Sequence, residues 1–305
     1  MKPGRRASWI AGAAAALVMV AGIGFWQHPI RCLNDLTYLR MDLTGVESDW
    51  TWVAGHHIHY DVAGPKNGAV VVLVHGLGSR AEDWLNLAPY FAKAGYRVYM
   101  PDLLGYGRSD KPADFSYSMR DQARVVVGFL DALGLKRVDL GGWSMGGWIV
   151  QIVAAEHPAR VKRLMLFDAA GLYVRPDWDT NLFMPRTPTQ LNQLEALLTP
   201  HPRWIPGFVA RGILRVSRKD EWVIQRAVAS MLTGRDATDK LLPTLKMPVL
   251  IAWGAEDRLF PPSQAETMHK LIPQSELDLF PGCGHLAPSH CSSKVGPKAV
   301  AFLKQ

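Results

Sequence analysis

The chain has 305 residues and a net charge of +7, with 48% hydrophobic and 20% charged residues. That composition excludes a disordered chain and supports a core large enough for one α/β unit with an insertion. The positive charge is scattered, with no zinc-finger or aromatic RNA-binding motif, so it argues against nucleic acid and suits an anionic membrane surface better.

Lys2, Arg5 and Arg6 precede an uncharged run from Ser8 to Trp26. A helix of about 18 to 20 residues rises roughly 27 to 30 Å, the thickness of a bilayer's hydrocarbon layer, and Trp9 and Trp26 would mark its interfaces. Residues 1–30 therefore read as a membrane anchor, with the basic end cytoplasmic and the remainder exported. A cleaved signal peptide, leaving a secreted or periplasmic protein, is the rival; the basic start fits it, whereas the long run without an A-x-A site does not. Lipidation at Cys32 is discounted because Arg31 stands where a small residue is needed. The three cysteines make neither a disulfide framework nor a zinc site, and Cys283 and Cys291 read as free thiols in preference to a bridge.

Residues 31–50 read as a polar connector with some helical character, followed by a β-hairpin from Thr51–Ala54 and Ile58–Val62. Val70–Val74 is a β-branched run suited to a strand buried on both faces, and it stops at His75-Gly76-Leu77-Gly78. A helix over Ala81–Ala94, a strand over Arg97–Met100, a helix over Ser118–Leu133 and a strand over Val138–Leu140 come next. A helix over Gly146–Glu156 and a strand over Val161–Phe167 continue the alternation. Repeated βα units predict a parallel sheet covered by helices on both faces. From about 171 to 242 the rhythm gives way to a proline-rich, mostly helical stretch, read as an inserted cap, before strands resume at Pro248–Trp253 and Glu276–Phe280.

In Gly142-Trp143-Ser144-Met145-Gly146, the serine lies between a predicted buried strand and a predicted helix. Such a turn forces the serine into a strained backbone conformation, and the glycines on either side remove the side chains that would collide. A nucleophilic serine needs a base, and the base needs an orienting acid. Of the ten histidines, His285 sits just past the last predicted strand, at the C-terminal edge of the sheet. His56, His57 and His59 fall on the early hairpin and read as surface residues; His28, His201 and His269 lack a strand end beside them. His75 ends a buried strand, but its Gly-rich surroundings suit an oxyanion loop. For the acid, Asp257 follows the strand over Val249–Trp253; Asp168 also ends a strand and is the principal competitor, with Glu256 a weaker one. Asp257 is preferred because its loop lies beside the one carrying His285.

With HGLG at 75–78, DLLGYGRSD at 102–110, GWSMGG at 142–147, WGAEDRLFP at 253–261 and GCGH at 282–285, the chain resembles the α/β-hydrolase superfamily from residue 50 onward, the cap apart. The resemblance implies an α/β fold of about eight mostly parallel strands in residues 31–305. It implies catalysis by Ser144, Asp257 and His285 and an oxyanion hole from the backbone amides of Leu77 and Met145, with no metal or organic cofactor. Serine at the nucleophile position argues against haloalkane dehalogenases and epoxide hydrolases of this fold, which use aspartate. The expected membrane anchor, the Ser-Met-Gly-Gly elbow and the cap start at Asp168–Tyr173 are similar to the membrane-bound monoacylglycerol lipase branch of the family. That implies a small-molecule acyl ester as substrate. Trp178, Leu182, Phe183, Met184, Trp204, Ile205 and Phe208 of the cap, with Trp143 beside the serine, are candidates to line the acyl site; Trp143, Phe183 and Trp204 are the foremost. The alternatives are a carbon-carbon bond hydrolase and a catalytically silent binding protein of the same fold.

Overall fold

The computed structural model describes Gly22 and residues 24–305. Most of the expected anchor lies on residues 1–21 and 23, outside the described residues. Among the described residues no helix is long and apolar enough to cross a membrane, so the expectation of a transmembrane helix is corrected. The helix that follows, α1 (Pro29–Thr44), has 16 residues and carries Arg31, Asp35, Arg40 and Asp42, which makes it too short and too charged to span a bilayer.

The sheet has eight strands in the order β1-β2-β4-β3-β5-β6-β7-β8. β1 (Glu47–Val53) and β2 (His56–Ala63) form an antiparallel hairpin turned at Ala54-Gly55, and β2 also runs antiparallel to β4 (Tyr96–Pro101). β3 (Ala69–Val74), β5 (Val138–Trp143), β6 (Val161–Phe167), β7 (Val249–Gly254) and β8 (Ser275–Phe280) continue in parallel from β4. The strand order reverses around β3, and ligands of such sheets bind beyond the carboxyl ends of the strands near that point.

β3 shows why a continuous apolar run makes a central strand. Val72 and Val74 point into the core beneath α3 (Met119–Ala132), α4 (Met145–Glu156) and α8 (Pro262–Leu271), while Val71 and Leu73 point into the core beneath α1, α2 (Ala88–Lys93) and α10 (Ser292–Leu303). Both faces are covered, so both sets are apolar. α3 starts where the sequence placed it, with the Ser118 hydroxyl accepting from the Asp121 amide at 3.1 Å. The predicted helix over Ala81–Ala94 is split into a 3-10 turn at Ala81–Trp84 and the short α2, because Pro89 offers no amide to continue the ladder.

The supposed connector at 31–50 is also different: α1 occupies most of it and ends on Gly45 in the left-handed region, φ 68°. Its leucines at 33, 36, 39 and 43 face solvent, leaving Met41 to anchor the helix in the core, so no buried stripe advertised it.

Between β6 and β7 the chain adds α5 (Pro188–Leu198), α6 (Gly207–Ser217) and α7 (Glu221–Leu232). α6 crosses α1 at Gly212, where a Cβ would stand 3.0 Å from Ile30, and Phe208 meets Phe25 edge-on at 5.7 Å. The two stems of the insertion are cinched together. The Thr238 amide donates to Gly171 O at 2.8 Å, the Thr238 hydroxyl donates to Gln151 Oε1, and Gln151 Nε2 donates to Ala170 O at 2.8 Å.

Phe129 of α3 is buried against Tyr60 of β2 at 5.3 Å and Tyr99 of β4 at 6.5 Å, edge to face in each case. Phe129→Ala is expected to cost about 3 to 5 kcal/mol of unfolding free energy, read as a lower urea midpoint with an unchanged slope.

Candidate active site

Ser144 leaves β5 with φ 55° and ψ −121°, a conformation that a residue with a side chain adopts only when its surroundings hold it there. Its amide donates to Phe167 O at 3.0 Å, and its carbonyl accepts from Trp148 at 3.2 Å and Ala170 at 3.0 Å. The adjoining glycines explain themselves in distances. A Cβ on Gly142 would lie 2.3 Å from Gly146 O, and one on Gly146 would lie 2.1 Å from Val74 O. Ser144 is thereby lifted above the carboxyl ends of β3 and β5, at the start of α4.

Two loops meet it. His285 follows β8, and its Nε2 lies 2.9 Å from Ser144 Oγ. Its Nδ1 lies 2.8 Å from Asp257 Oδ2, in the loop after β7. A carboxylate only accepts, so Nδ1 carries the proton and Nε2 is left to accept the serine proton. Asp257 Oδ1 is held in turn by the amides of Leu259 at 2.8 Å and Phe260 at 2.9 Å, and both side chains of the pair are buried. This arrangement can deprotonate a serine hydroxyl and hold the imidazolium that results.

The two expected anion-binding amides are near. Met145 is the first residue of α4, whose amide has no intrahelical acceptor. The Leu77 amide donates to no protein acceptor among the described residues, and the preceding Gly76 lies so close that a Cβ there would stand 3.1 Å from Ser144 Cβ. His75 fixes this loop: its Nδ1 donates to Gly76 O at 2.8 Å, and its Nε2 accepts from the Leu103 amide at 3.0 Å. Both ring nitrogens are used by neutral partners, and burial pushes its pKa down, so it is a neutral latch between two loops.

Asp168 makes no hydrogen bond to His285. It ends β6 at φ 42°, fully buried, and Oδ1 accepts from the Gly254 amide at 2.7 Å. Burial and the neighbouring Asp257 charge push its pKa well up, so it is the neutral member of the carboxyl pair. Glu256 turns away from His285: its carboxylate accepts from the Gly282 amide at 3.0 Å and its own amide donates to Cys283 O at 2.9 Å, tying the Asp257 and His285 loops together.

The expected acyl-site aromatics separate. Trp143 is buried beside Trp84, its ring lies 6.0 Å from that of His285, and its Nε1 donates to His285 O at 2.8 Å, so it supports the histidine from the core. Trp204 is 78% exposed on the outer surface. Phe183 stays in the inserted segment, edge-on to Trp178 at 5.5 Å, and Trp178 Nε1 donates to Leu259 O at 3.1 Å. Phe260, which the sequence reading passed over, stands edge-on to His285 at 5.1 Å, and Ile224 of α7 reaches over Gly78. His59, expected at the surface, is fully buried, with Nδ1 2.8 Å from Asp102, because β2 is an inner strand. Cys283 and Cys291, expected as free thiols, are joined in a disulfide with Cα atoms 6.1 Å apart. The short loop after β8 turns back and brings them within bonding reach.

The chain belongs to the alpha/beta hydrolase fold family, which it matches over residues 69–194 and 234–289. It is 26% identical to Lipase 1 of Psychrobacter immobilis, over 83% of this chain and 82% of that one. It is 29% identical to a 2-hydroxy-6-oxononadienedioate/2-hydroxy-6-oxononatrienedioate hydrolase of Burkholderia vietnamiensis, over 81% of this chain and 91% of that one. The crystal structure of a membrane phospholipase A, described as a bacterial virulence factor, superposes with a TM-score of 0.82 at 26% identity, covering 97% of this chain and 98% of that one. The protein is thus a hydrolase of the alpha/beta fold, with both lipases and 2-hydroxy-6-oxononadienedioate hydrolases among its relatives.

Asp257→Asn is expected to lower turnover by about four orders of magnitude, while Asp168→Asn leaves it within a few-fold of wild type. The neutral Asp168 also sets a sign for stability. In the unfolded chain it ionises near pH 4, whereas in the folded protein it keeps its proton far higher, so its contribution to stability falls as pH rises above about 4. Thermal melts from pH 4 to 8 should show Asp168→Asn gaining stability relative to wild type as the pH is raised.

Proposed function

We propose that the protein hydrolyses carboxylic esters through an acyl-enzyme, with medium- or long-chain acyl esters such as monoacylglycerols as substrates. The observation that carries this reading is the unbroken line from Ser144 Oγ to His285 Nε2 at 2.9 Å and from His285 Nδ1 to Asp257 at 2.8 Å. Ser144 Oγ attacks the acyl carbon as its proton passes to His285 Nε2. The oxygen anion that forms is stabilised by the amides of Met145 and Leu77, and His285 returns the proton to the departing alcohol. Water, deprotonated by the same nitrogen, then attacks the acyl-serine and releases the acid. Asp257 stays ionised throughout and stabilises the imidazolium.

The acyl-chain preference rests on the apolar groups near the triad. Phe260 touches His285, while Trp178, Phe183 and Ile224 from residues 171–242 bring an apolar face over the catalytic loops. We read that segment as a cap over an acyl groove. The lipase and phospholipase relatives support the same substrate class. The Cys283–Cys291 bridge suits an oxidising compartment, and so a secreted or periplasmic location.

A second reading follows from the Burkholderia relative: hydrolysis of a carbon-carbon bond in a vinylogous diketone by the same three residues.

A fluorophosphonate probe is expected to label the wild type and not Ser144→Ala; a folded, unlabelled wild type would overturn the serine-hydrolase reading. Turnover of p-nitrophenyl esters should rise from the acetate to chains of eight or more carbons. Faster loss of dienoate absorbance from a 2-hydroxy-6-oxo-dienoate than of any ester would shift the assignment to the second reading.

A further inference from the structure

The catalytic assignment of His285 raises the question of what holds its backbone. The amides of Gly284, His285 and Leu286 donate to no protein acceptor among the described residues; the segment is held through its carbonyls, with Trp143 Nε1 on His285 O at 2.8 Å and the Ser289 and His290 amides on Leu286 O at 3.1 and 2.8 Å. The sheet ends earlier, at Phe280, and the next helical turn, α9 (Ala287–His290), begins only after Leu286. A covalent ring encloses the segment as well. Cys283 and Cys291, eight residues apart, are disulfide-bonded, and His285 lies inside the ring they close.

Each end of that ring is fastened to a different part of the fold. Cys283 is 1% exposed, its carbonyl accepts from the Glu256 amide at 2.9 Å, and it lies so near the end of β7 that a Cβ on Gly254 would stand 2.6 Å from Cys283 O. Its anchorage is therefore to the loop that carries Asp257. Cys291 is the residue before α10, and the amides of Lys294 and Val295 donate to its carbonyl at 2.8 and 3.0 Å. The bridge thus spans the distance between the Asp257 loop and α10, with the base between them.

We propose that the Cys283–Cys291 disulfide is a positioning element for His285, so that its reduction slows catalysis without unfolding the protein. The proposal rests on His285 being the base. With the bridge cut, the segment keeps the Trp143 Nε1 bond to His285 O, the bonds from the Ser289 and His290 amides to Leu286 O and the contact of Gly284 with Leu198 and Pro200, but it loses the cross-link that closes the ring and stays joined to α10 by the main chain alone. The imidazole then samples positions off the line between Ser144 and Asp257. Catalysis depends steeply on that line, since a misplacement of about 1 Å costs on the order of a hundred-fold. Substrate binding, which uses other groups, is left alone. Cys291 is partly exposed and is the sulfur a reductant reaches; Cys283 is the leaving group. With tris(2-carboxyethyl)phosphine, phosphorus attacks Cys291 Sγ, the S–S bond breaks, and Cys283 leaves as a thiolate that takes a proton from water. Water then attacks phosphorus, which releases the Cys291 thiol and the phosphine oxide.

The test is ester turnover by the full chain before and after reduction, with thiols counted and folding followed by near-ultraviolet circular dichroism. Reduction is expected to lower kcat by about ten- to a hundred-fold with KM unchanged and the folded spectrum retained, and reoxidation to restore kcat. A Cys283→Ala/Cys291→Ala double variant should match the reduced wild type and ignore the phosphine, while Cys32→Ser should keep the wild-type rate and response. An unchanged kcat after complete reduction overturns the proposal. So does a loss that tracks the unfolded fraction, because the bridge would then support the fold as a whole. An oxidised wild type that neither turns over an ester nor takes up a fluorophosphonate removes the assignment of His285, and the proposal with it.

Discussion

The contact on which the rest of this structure depends is the approach of α4 to the end of β3. A Cβ on Gly146 would fall 2.1 Å from Val74 O and 2.5 Å from His75 O, so the helix comes within backbone distance of the strand. Only a glycine allows that, and only that approach forces Ser144 to φ 55°. The turn that exposes the serine also puts the first amide of the helix beside it, and it presses Gly76 against the serine's Cβ. The position of Ser144 and of the amides beside it is therefore set by one steric condition, and His285 and Asp257 need only arrive.

They arrive on loops that leave neighbouring strands, and the electrostatics of that corner depends on keeping one charge there. Asp168 directly follows β6, and Asp257 lies in the loop that leaves the adjacent β7. Two ionised carboxylates at that spacing in a buried corner would repel, and the protein resolves this by giving Asp257 two amide donors on one oxygen and an imidazole on the other. Asp168 receives one amide, from Gly254, and stays protonated. The division of roles follows from donors supplied, not from distance to the base alone.

Much of this was legible in the residues. A β-branched run marked β3, the strand-helix alternation marked β6, Ser118 marked the start of α3, and glycines spaced about a serine at a strand end marked the elbow. The order and loop positions of Asp257 and His285 made them the partners to expect. What escaped had physical reasons. α1 was hidden because its leucines face solvent, which no core periodicity reveals. α6 has an apolar face at helical spacing, but it packs on α1, an element not foreseen. That Trp143 backs His285 was not legible, because alternation along β5 turns its ring into the core with Trp84, where only the fold brings the histidine loop against it. The disulfide depends on how the chain folds back after β8, which spacing alone does not give.

The cinch at Thr238, Gln151 and Gly171 has a consequence for how the molecule can vary. Because both stems of the inserted segment are fastened at one point, three helices leave the sheet and return through a single neck. Seen from the sheet, the insertion is a closed loop, and the entropy of closing such a loop grows only as the logarithm of its length. The neck thus separates two kinds of inheritance. The scaffold below it is bound by ångström-scale contacts, while the segment above it can vary wherever it does not meet the loops of His285, Asp257 and Gly78, as it does at Pro200, Trp178 and Ile224. In a fold shared by lipases and 2-hydroxy-6-oxononadienedioate hydrolases, that neck marks where specificity can diverge while the chemistry stays put.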